Sequence, residues 1–173
     1  MVQSVELLLD ETSDAVVRRQ WERLAAAGLP SQAHHAGASN APHVTLAARA
    51  QIDIRYETDV SVAVSGLPMP LRLGALACFG RSRFVLVRLV VVHPDLLALH
   101  AAVAGVLGPD PDDHAGTGNL APGRWTPHVT LGRRLSAAEV GEALTVLGGM
   151  AELDGSAVRC RRWDGEAKRE WAV

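Results

Sequence analysis

The pentapeptide Pro42-His43-Val44-Thr45-Leu46 occurs twice in this chain and returns 85 positions later as Pro127-His128-Val129-Thr130-Leu131. The three residues that follow each copy, Ala47-Ala48-Arg49 and Gly132-Arg133-Arg134, share one further identity, so six of eight aligned positions match. Two unrelated windows of this length rarely agree so well. The chain is therefore predicted to be an internal duplication that folds as two equivalent halves.

Each copy of the repeat favours an extended backbone, because Val, Thr and Leu are residues typical of strands. Alternate side chains of a strand lie on the same face, so His43 is expected beside Thr45 and His128 beside Thr130. If a pseudo-two-fold axis relates the halves, the two His-Thr pairs meet across one cleft.

Length and composition indicate a single domain over residues 1–173, since 48% of the residues are hydrophobic and one core can be buried. The formal net charge of −2 argues against binding to long duplex nucleic acid and favours a small or single-stranded substrate. Cys78 and Cys160 have no metal or redox spacing, and we interpret them as reduced thiols of the core of a cytoplasmic protein.

The N-terminal residues show no signal-peptide pattern. The most apolar stretch, residues 89–108, contains His93, Pro94, Asp95 and His100, which argues against a membrane span. We therefore expect no membrane association, and we expect a monomer.

Hydrophobic periodicity and turn residues predict alternating strands and helices in an α+β arrangement of two similar lobes. The predicted strands cover residues 2–9, 58–65, 71–79, 84–92, 128–134 and 151–160, together with a first motif strand that begins after Pro42. The predicted helices cover residues 13–27, 94–107 and 136–147, the last opened by a capping box. Residues 109–123 are predicted to be a surface loop, and residues 161–173 have no clear pattern.

Two facing imidazoles suit hydrolysis of a phosphodiester, which needs one group to take a proton from water and another to protonate the leaving oxygen. Histidine titrates near pH 6.5, so a neutral and a protonated ring can do both near neutral pH without a metal. The hydroxyls of Thr45 and Thr130 can donate to the non-bridging oxygens as charge develops there.

The paired motifs resemble those of the 2H phosphoesterase superfamily, and within it the 2′-5′ RNA ligase-like branch. Residues 79–87 are similar to that family's central hairpin, and residues 97–128 to its helix, loop and second motif. The resemblance implies a bilobal fold with two antiparallel-rich sheets lining a central cleft and helices packed outside. It also implies cofactor-free opening of 2′,3′-cyclic phosphates to 2′-phosphates, on RNA ends or small nucleotides, with reversible 2′-5′ RNA joining in some members.

By the same resemblance, His43 and His128 form the acid-base pair, and Thr45 and Thr130 bind the phosphate. Arg133 stands where the family often keeps an arginine after the motif, although simple alternation turns it to the opposite face. Alternation puts Arg49 and Arg134 on the histidine face. Each arginine is six residues beyond its motif histidine, which is roughly 20 Å along the strand. Solvated charges at strand ends are the competing interpretation for all three arginines.

Trp125, two residues before Pro127, and Trp21 in the first helix are candidates for stacking on a base, with a core role as the alternative.

Two other functions stay open at this point. A non-catalytic module that binds nucleotides or RNA ends would keep the same cleft. A metal-dependent hydrolase would use His34, His35 or His114 together with the motif histidines, although no His-Glu-x-x-His pattern supports a metal site. The sequence does not decide which motif histidine is the acid.

Overall fold

A computed structural model describes residues 2–35, 37, 39–109, 118–149 and 151–173. The strands are β1 (Gln3–Leu9), β2 (His43–Arg49), β3 (Met69–Phe79), β4 (Phe84–Val90), β5 (His128–Leu135), β6 (Leu153–Asp164) and β7 (Arg169–Ala172). The helices are α1 (Glu11–Ala26), α2 (Glu57–Ala63), α3 (Pro94–Leu107) and α4 (Ala137–Leu147). In these described ranges no helix is long and apolar enough to cross a membrane.

The strands form one antiparallel path in the order β2-β1-β6-β3-β4-β5, with β7 added beside β6. Strand β6 belongs to both halves, because residues 153–157 pair with β3 and residues 157–164 pair with β1. The α+β class and its antiparallel strands are thus confirmed. The two expected sheets, however, are joined into one through the long β6.

The duplication is visible as two strand-helix-strand units, β1-α1-β2 and β4-α3-β5. The motif strands β2 and β5 lie at opposite ends of the hydrogen-bonded path, yet they contact each other. The sheet must therefore curl until its ends meet. Each unit also packs its helix on the other unit's motif strand, with α1 against β5 and α3 against β2.

The predicted strand over residues 58–65 is wrong, because this segment forms helix α2. The valines at 60, 62 and 64 alternate as in a strand. Val60 and Val64 are also one helical turn apart, so the same pattern fits a helix. Both are buried at 0% and 4% exposure, while Val62 between them is 68% exposed. A 3-10 turn capped by Asp53 leads directly into the helix.

The unassigned tail completes β6 and forms β7. Its pattern was obscured by two charged residues that are buried here, Arg161 and Arg162. Arg162 binds Glu57 of α2 at 2.9 Å, so the tail ties the sheet to that helix.

Most other elements are confirmed within a few residues. The expected core position is wrong for Cys78, which is exposed on β3, while Cys160 is buried. Helix α1 begins earlier than predicted because Asp10 is its N-cap and accepts a hydrogen bond from the backbone of Ser13. The predicted capping box of α4 is present, formed by Ser136 and Glu139. Of the predicted loop 109–123, residues 110–117 lie outside the described residues, and Gly118–Leu120 forms a 3-10 turn.

Candidate active site

Both motif strands carry a β-bulge at the same position of the repeat. In β2, Thr45 pairs with Glu6 and Ala47 with Val5, so Leu46 is the extra residue. In β5, Thr130 pairs with Val87 and Gly132 with Leu86, so Leu131 is the extra residue. The duplication thus extends to this irregularity, which reverses the alternation of side chains beyond it.

The bulge turns Arg133 towards the face of the second His-x-Thr motif. Arg133 pairs with Val85 and Thr130 with Val87, and these two valines are alternate residues of a strand with regular pairing to β3. Paired residues share a face, so Arg133 lies on the face of Thr130 and His128. The expectation from simple alternation is therefore wrong for Arg133, which is exposed on that face.

The equivalent bulge turns Arg49 away from the histidine face. Its guanidinium donates to the carbonyls of Leu107, at 2.8 Å, and Gly108, at the C-terminal end of α3. A cation is favourable at this end of a helix. Arg49 is therefore neither a solvated strand-end charge nor a residue of the histidine face. Arg134, the other candidate, is an exposed residue with a φ of 68° at a second register shift.

A close contact explains one difference between the repeats. A Cβ atom on Gly132 would collide with the backbone carbonyl oxygen of Pro30, which follows α1. Ala47 is the equivalent residue in the first repeat. The approach of the α1 segment to β5 therefore requires glycine at this position of the second repeat.

The two motif histidines are anchored in the same way. Nδ1 of His43 lies 2.8 Å from the carbonyl oxygen of Ala41, and Nδ1 of His128 lies 2.7 Å from that of Thr126. A carbonyl oxygen can only accept a hydrogen bond, so each Nδ1 carries a hydrogen. In the neutral ring Nε2 then has a free lone pair, and in the charged ring it has a proton to give.

Two tryptophans link the motif strands to the opposite halves. The indole of Trp21 in α1 donates to the carbonyl of Thr130 at 2.9 Å, and the indole of Trp125 donates to the carbonyl of Thr45 at 3.0 Å. These reciprocal bonds fix the backbone at each motif threonine. The ring of Trp125 is also stacked on buried His100, with centroids 4.0 Å apart and the planes at 4°. Trp21 is thus buried, whereas Trp125 packs on His100 with one face and stays partly exposed.

His128 lies in an apolar and positively charged environment. The ring of Phe79 packs edge-on at 4.9 Å. Burial lowers the pKa of His128 below its usual value, against the hydrogen bond to Thr126, and the positive charges of Arg133 and His43 lower it further. Strands β2 and β5 contact each other, which brings the two motif strands together.

His43 lies beside a buried carboxylate instead. Its Nε2 is 3.6 Å from Oε1 of Glu6, which is only 3% exposed. Glu6 is not among the site residues predicted from the sequence. Glu6 and Val87 occupy equivalent positions of the two halves, because Glu6 pairs with Thr45 and Val87 pairs with Thr130. An alignment of β1 with β4 would therefore reveal Glu6 as a charged residue at an apolar position.

The other candidate histidines are not gathered around the motifs. His34 and His35 are exposed, and His35 lines a small pocket beside α1 with Arg18 and Asn40. His114 lies outside the described residues. Within the part of the chain that the structure describes, no three His, Cys, Asp or Glu side chains form a group suited to a metal ion.

A cavity of about 590 Å³ lies between β2 and α3, lined by Leu46, Arg49, Ala104 and Leu120 among others. It is distinct from the histidine face, because Arg49 projects to the α3 side of β2.

The fold and the site define a duplicated α+β protein in which two contacting strands each carry a His-x-Thr motif. A sequence model of the 2′-5′ RNA ligase superfamily matches residues 12–166, and the chain belongs to this superfamily. No curated protein sequence matches the chain.

Solved structures share the fold at low sequence identity. The chain resembles TT0787 of Thermus thermophilus, with a TM-score of 0.58, 16% identity and coverage of 100% of this chain and 95% of that one. It also resembles Escherichia coli LigT complexed with 3′-AMP, with a TM-score of 0.53, 18% identity and coverage of 99% and 92%. A third structure, described as a phosphoesterase, has a TM-score of 0.54 and 16% identity, with coverage of 99% of this chain and 98% of that one.

Proposed function

We propose that this protein is a metal-independent phosphodiesterase that opens 2′,3′-cyclic phosphates to 2′-phosphates. The observation that carries the proposal is the equivalent anchoring of His43 and His128, which leaves both Nε2 atoms available for proton transfer. In this proposal the two histidines are catalytic, and Thr45 and Thr130 bind the phosphate.

The reaction needs only groups of this cleft. The neutral imidazole takes a proton from water at Nε2 as the water oxygen attacks phosphorus. The bond from phosphorus to the 3′ oxygen breaks, and the protonated imidazole gives its proton to that oxygen. The hydroxyls of Thr45 and Thr130 donate to the non-bridging oxygens as negative charge builds up. A 5′ hydroxyl in place of water would give a 2′-5′ linkage by the same steps.

Arg133 is the proposed additional phosphate contact, because the bulge places its charge on the His128 face. Trp125 is a second proposed substrate contact. Only one face of its ring is open to a base, because His100 covers the other face.

A nucleotide or an RNA end is the proposed substrate class. E. coli LigT has been solved with 3′-AMP, NADP⁺ and ATP, which supports a nucleotide as the ligand of a protein with this fold. We propose that one domain, residues 1–173, acts as a monomer in the cytoplasm, where Cys78 and Cys160 would stay reduced.

The test is turnover after treatment with EDTA. The protein is expected to hydrolyse 2′,3′-cyclic mononucleotides or RNA with a cyclic phosphate end at an unchanged rate, and to release 2′-phosphates. The product position is read by ³¹P NMR. The His43→Ala/His128→Ala double variant, purified in the same way, is the control for contaminating nucleases. Loss of activity in EDTA with recovery in zinc would support the metal-dependent alternative, and binding of these ligands without turnover would support the binding module.

A further inference from the structure

Strand β6, which joins the two halves, also carries a β-bulge. Ala157 pairs with Leu9 and Arg159 pairs with Leu8, so Val158 is the extra residue. Ala157 is buried, and simple alternation would turn Arg159 to the same side of the sheet. The bulge reverses the alternation, and Arg159 is exposed on the opposite face.

Arg159 lies in one cross-strand row with the first motif histidine. Leu8 of β1 pairs with Arg159 on one side and with His43 on the other. Paired residues share a face, so the guanidinium, the half-buried side chain of Leu8 and the imidazole project from the same surface of the sheet. Two strand spacings, roughly 10 Å, separate the backbone of Arg159 from that of His43.

The charge of Arg159 is available to a ligand. Arg161, the next residue of β6 on this face, is held by the carboxylates of Glu6 and Glu170. None of the ion pairs formed among the described residues includes Arg159. A guanidinium has several donors in one plane and can hold a phosphate through two parallel hydrogen bonds.

The corresponding strand of the second half, β3, is apolar where it lies level with the second motif. Ala77 pairs with Val87, the partner of Thr130, and Phe79 packs edge-on against the ring of His128. These side chains offer no partner to an anion. A second anionic group of a ligand would therefore be bound over β6 of the first half.

We propose that Arg159 forms a second phosphate subsite on the histidine face. It takes a phosphate on the 5′ oxygen of the nucleotide whose 2′,3′-cyclic phosphate lies between the two motif histidines. One ribose separates these two phosphates, which suits the position of Arg159 at the end of a row that begins at His43, with Leu8 beneath the sugar. The inference rests on the proposed function and adds a specificity-determining residue to it.

The subsite favours one group of substrates within the proposed class. An RNA end carries a phosphate on the 5′ side of its last nucleotide, and so does a small nucleotide that is phosphorylated at the 5′ position. A nucleoside 2′,3′-cyclic phosphate with a free 5′ hydroxyl lacks this group and would leave Arg159 unused.

The first test compares kcat/KM for a nucleoside 2′,3′-cyclic phosphate, its 5′-phosphorylated form and a dinucleotide that ends in the same cyclic phosphate. The 5′-phosphorylated form is expected to be about 10-fold or more better than the unphosphorylated one, since hydrogen bonds between charged groups are among the stronger ones. A similar gain for the dinucleotide identifies an RNA end as the substrate. A gain confined to the monoester identifies a small nucleotide, and either result supports the subsite.

Arg159→Gln should bring the ratio of kcat/KM between the first two substrates close to 1, mainly by raising KM for the phosphorylated one. Arg159→Lys should keep part of the ratio. A purely structural disturbance would lower both rates together and leave the ratio in place. Arg169→Gln is the matched control, because Arg169 is exposed on neighbouring β7 and pairs with Asp164, five regularly paired residues from Arg159 and so on the opposite face. It should keep the wild-type ratio.

Calorimetric binding of two product analogues separates the subsite from the proposed activity. The wild type is expected to bind a nucleoside 2′,5′-bisphosphate about 10-fold or more tightly than the nucleoside 2′-phosphate, and Arg159→Gln should bind both alike. This binding preference without turnover would contradict the proposed function alone. Turnover in the wild type with no preference for a 5′ phosphate, or an equal loss of preference in Arg159→Gln and Arg169→Gln, overturns the subsite. Failure to bind either nucleotide overturns both.

Discussion

Replacing either His43 or His128 by alanine is expected to lower kcat by about 10²- to 10⁴-fold, because each change removes one of the two proton-transfer groups. The double variant should lose far less than the product of the two single losses, since both groups act in one transition state. The wild type should show a bell-shaped profile of kcat/KM against pH, and each single variant should lose one limb. The lowered pKa of His128 puts the acidic limb below the value of about 6.5 typical of free imidazole.

His34→Ala is the matched control for these two variants. His34 is exposed in the loop before β2, so its replacement should leave kcat and the pH profile unchanged. A comparable loss in His34→Ala would instead support a metal site that includes this loop. If His43→Ala and His128→Ala stay folded and retain near wild-type turnover, the two histidines are structural and the acid-base mechanism is wrong.

Thr45→Val and Thr130→Val are each expected to lower kcat by about 10²- to 10³-fold, the loss typical of removing one donor to a developing oxyanion. Valine keeps the branched shape and the strand preference of threonine. The effect should therefore come from the missing hydroxyl. KM should rise as well, because the same hydroxyl also holds the phosphate in the ground state, and both constants are read from steady-state kinetics.

Thr145→Val provides the control for the same chemical change outside the cleft. Its hydroxyl donates to the carbonyl of Gly141 within α4, so kcat and KM should stay at wild-type values. Unchanged kinetics in both motif variants would show that the threonines do not contact the phosphate.

The repeat predicted the class of fold and the pairing of the two units, because an identical pentapeptide needs no long-range information to be recognised. The errors share a physical cause. Alternation along a strand assumes a regular ladder, and the bulges at Leu46 and Leu131 reverse it. This one irregularity explains why Arg49 was assigned to the wrong face and why Arg133 was turned away from His128.

Other errors came from contacts between segments distant in the sequence. The alternation of Val60, Val62 and Val64 suits a strand and a helix equally, and packing of α2 on α3 selects the helix. The end of β6 is not predictable from its own residues, because it contains the buried charges Arg161 and Arg162. Their ion-pair partners, Glu6 and Glu57, lie more than 100 residues earlier in the chain.

The neighbours of the motifs were also hidden from the sequence pattern. The indoles of Trp21 and Trp125 bind the motif strand of the other half, a pairing that spacing alone does not show. In the sequence, Glu6 is one polar residue of an otherwise apolar strand. Its position beside the first motif follows only from the pairing of β1 with β2.

The central claim is that His43 and His128 flank a single phosphate held by Thr45 and Thr130. The most direct test is a crystal structure of the protein with a nucleoside 2′-phosphate, the proposed product. We expect both Nε2 atoms and both threonine hydroxyls within about 3.2 Å of phosphate oxygens. A phosphate bound elsewhere, or two histidines more than about 10 Å apart and so unable to share one phosphate at hydrogen-bond distances, would contradict the claim.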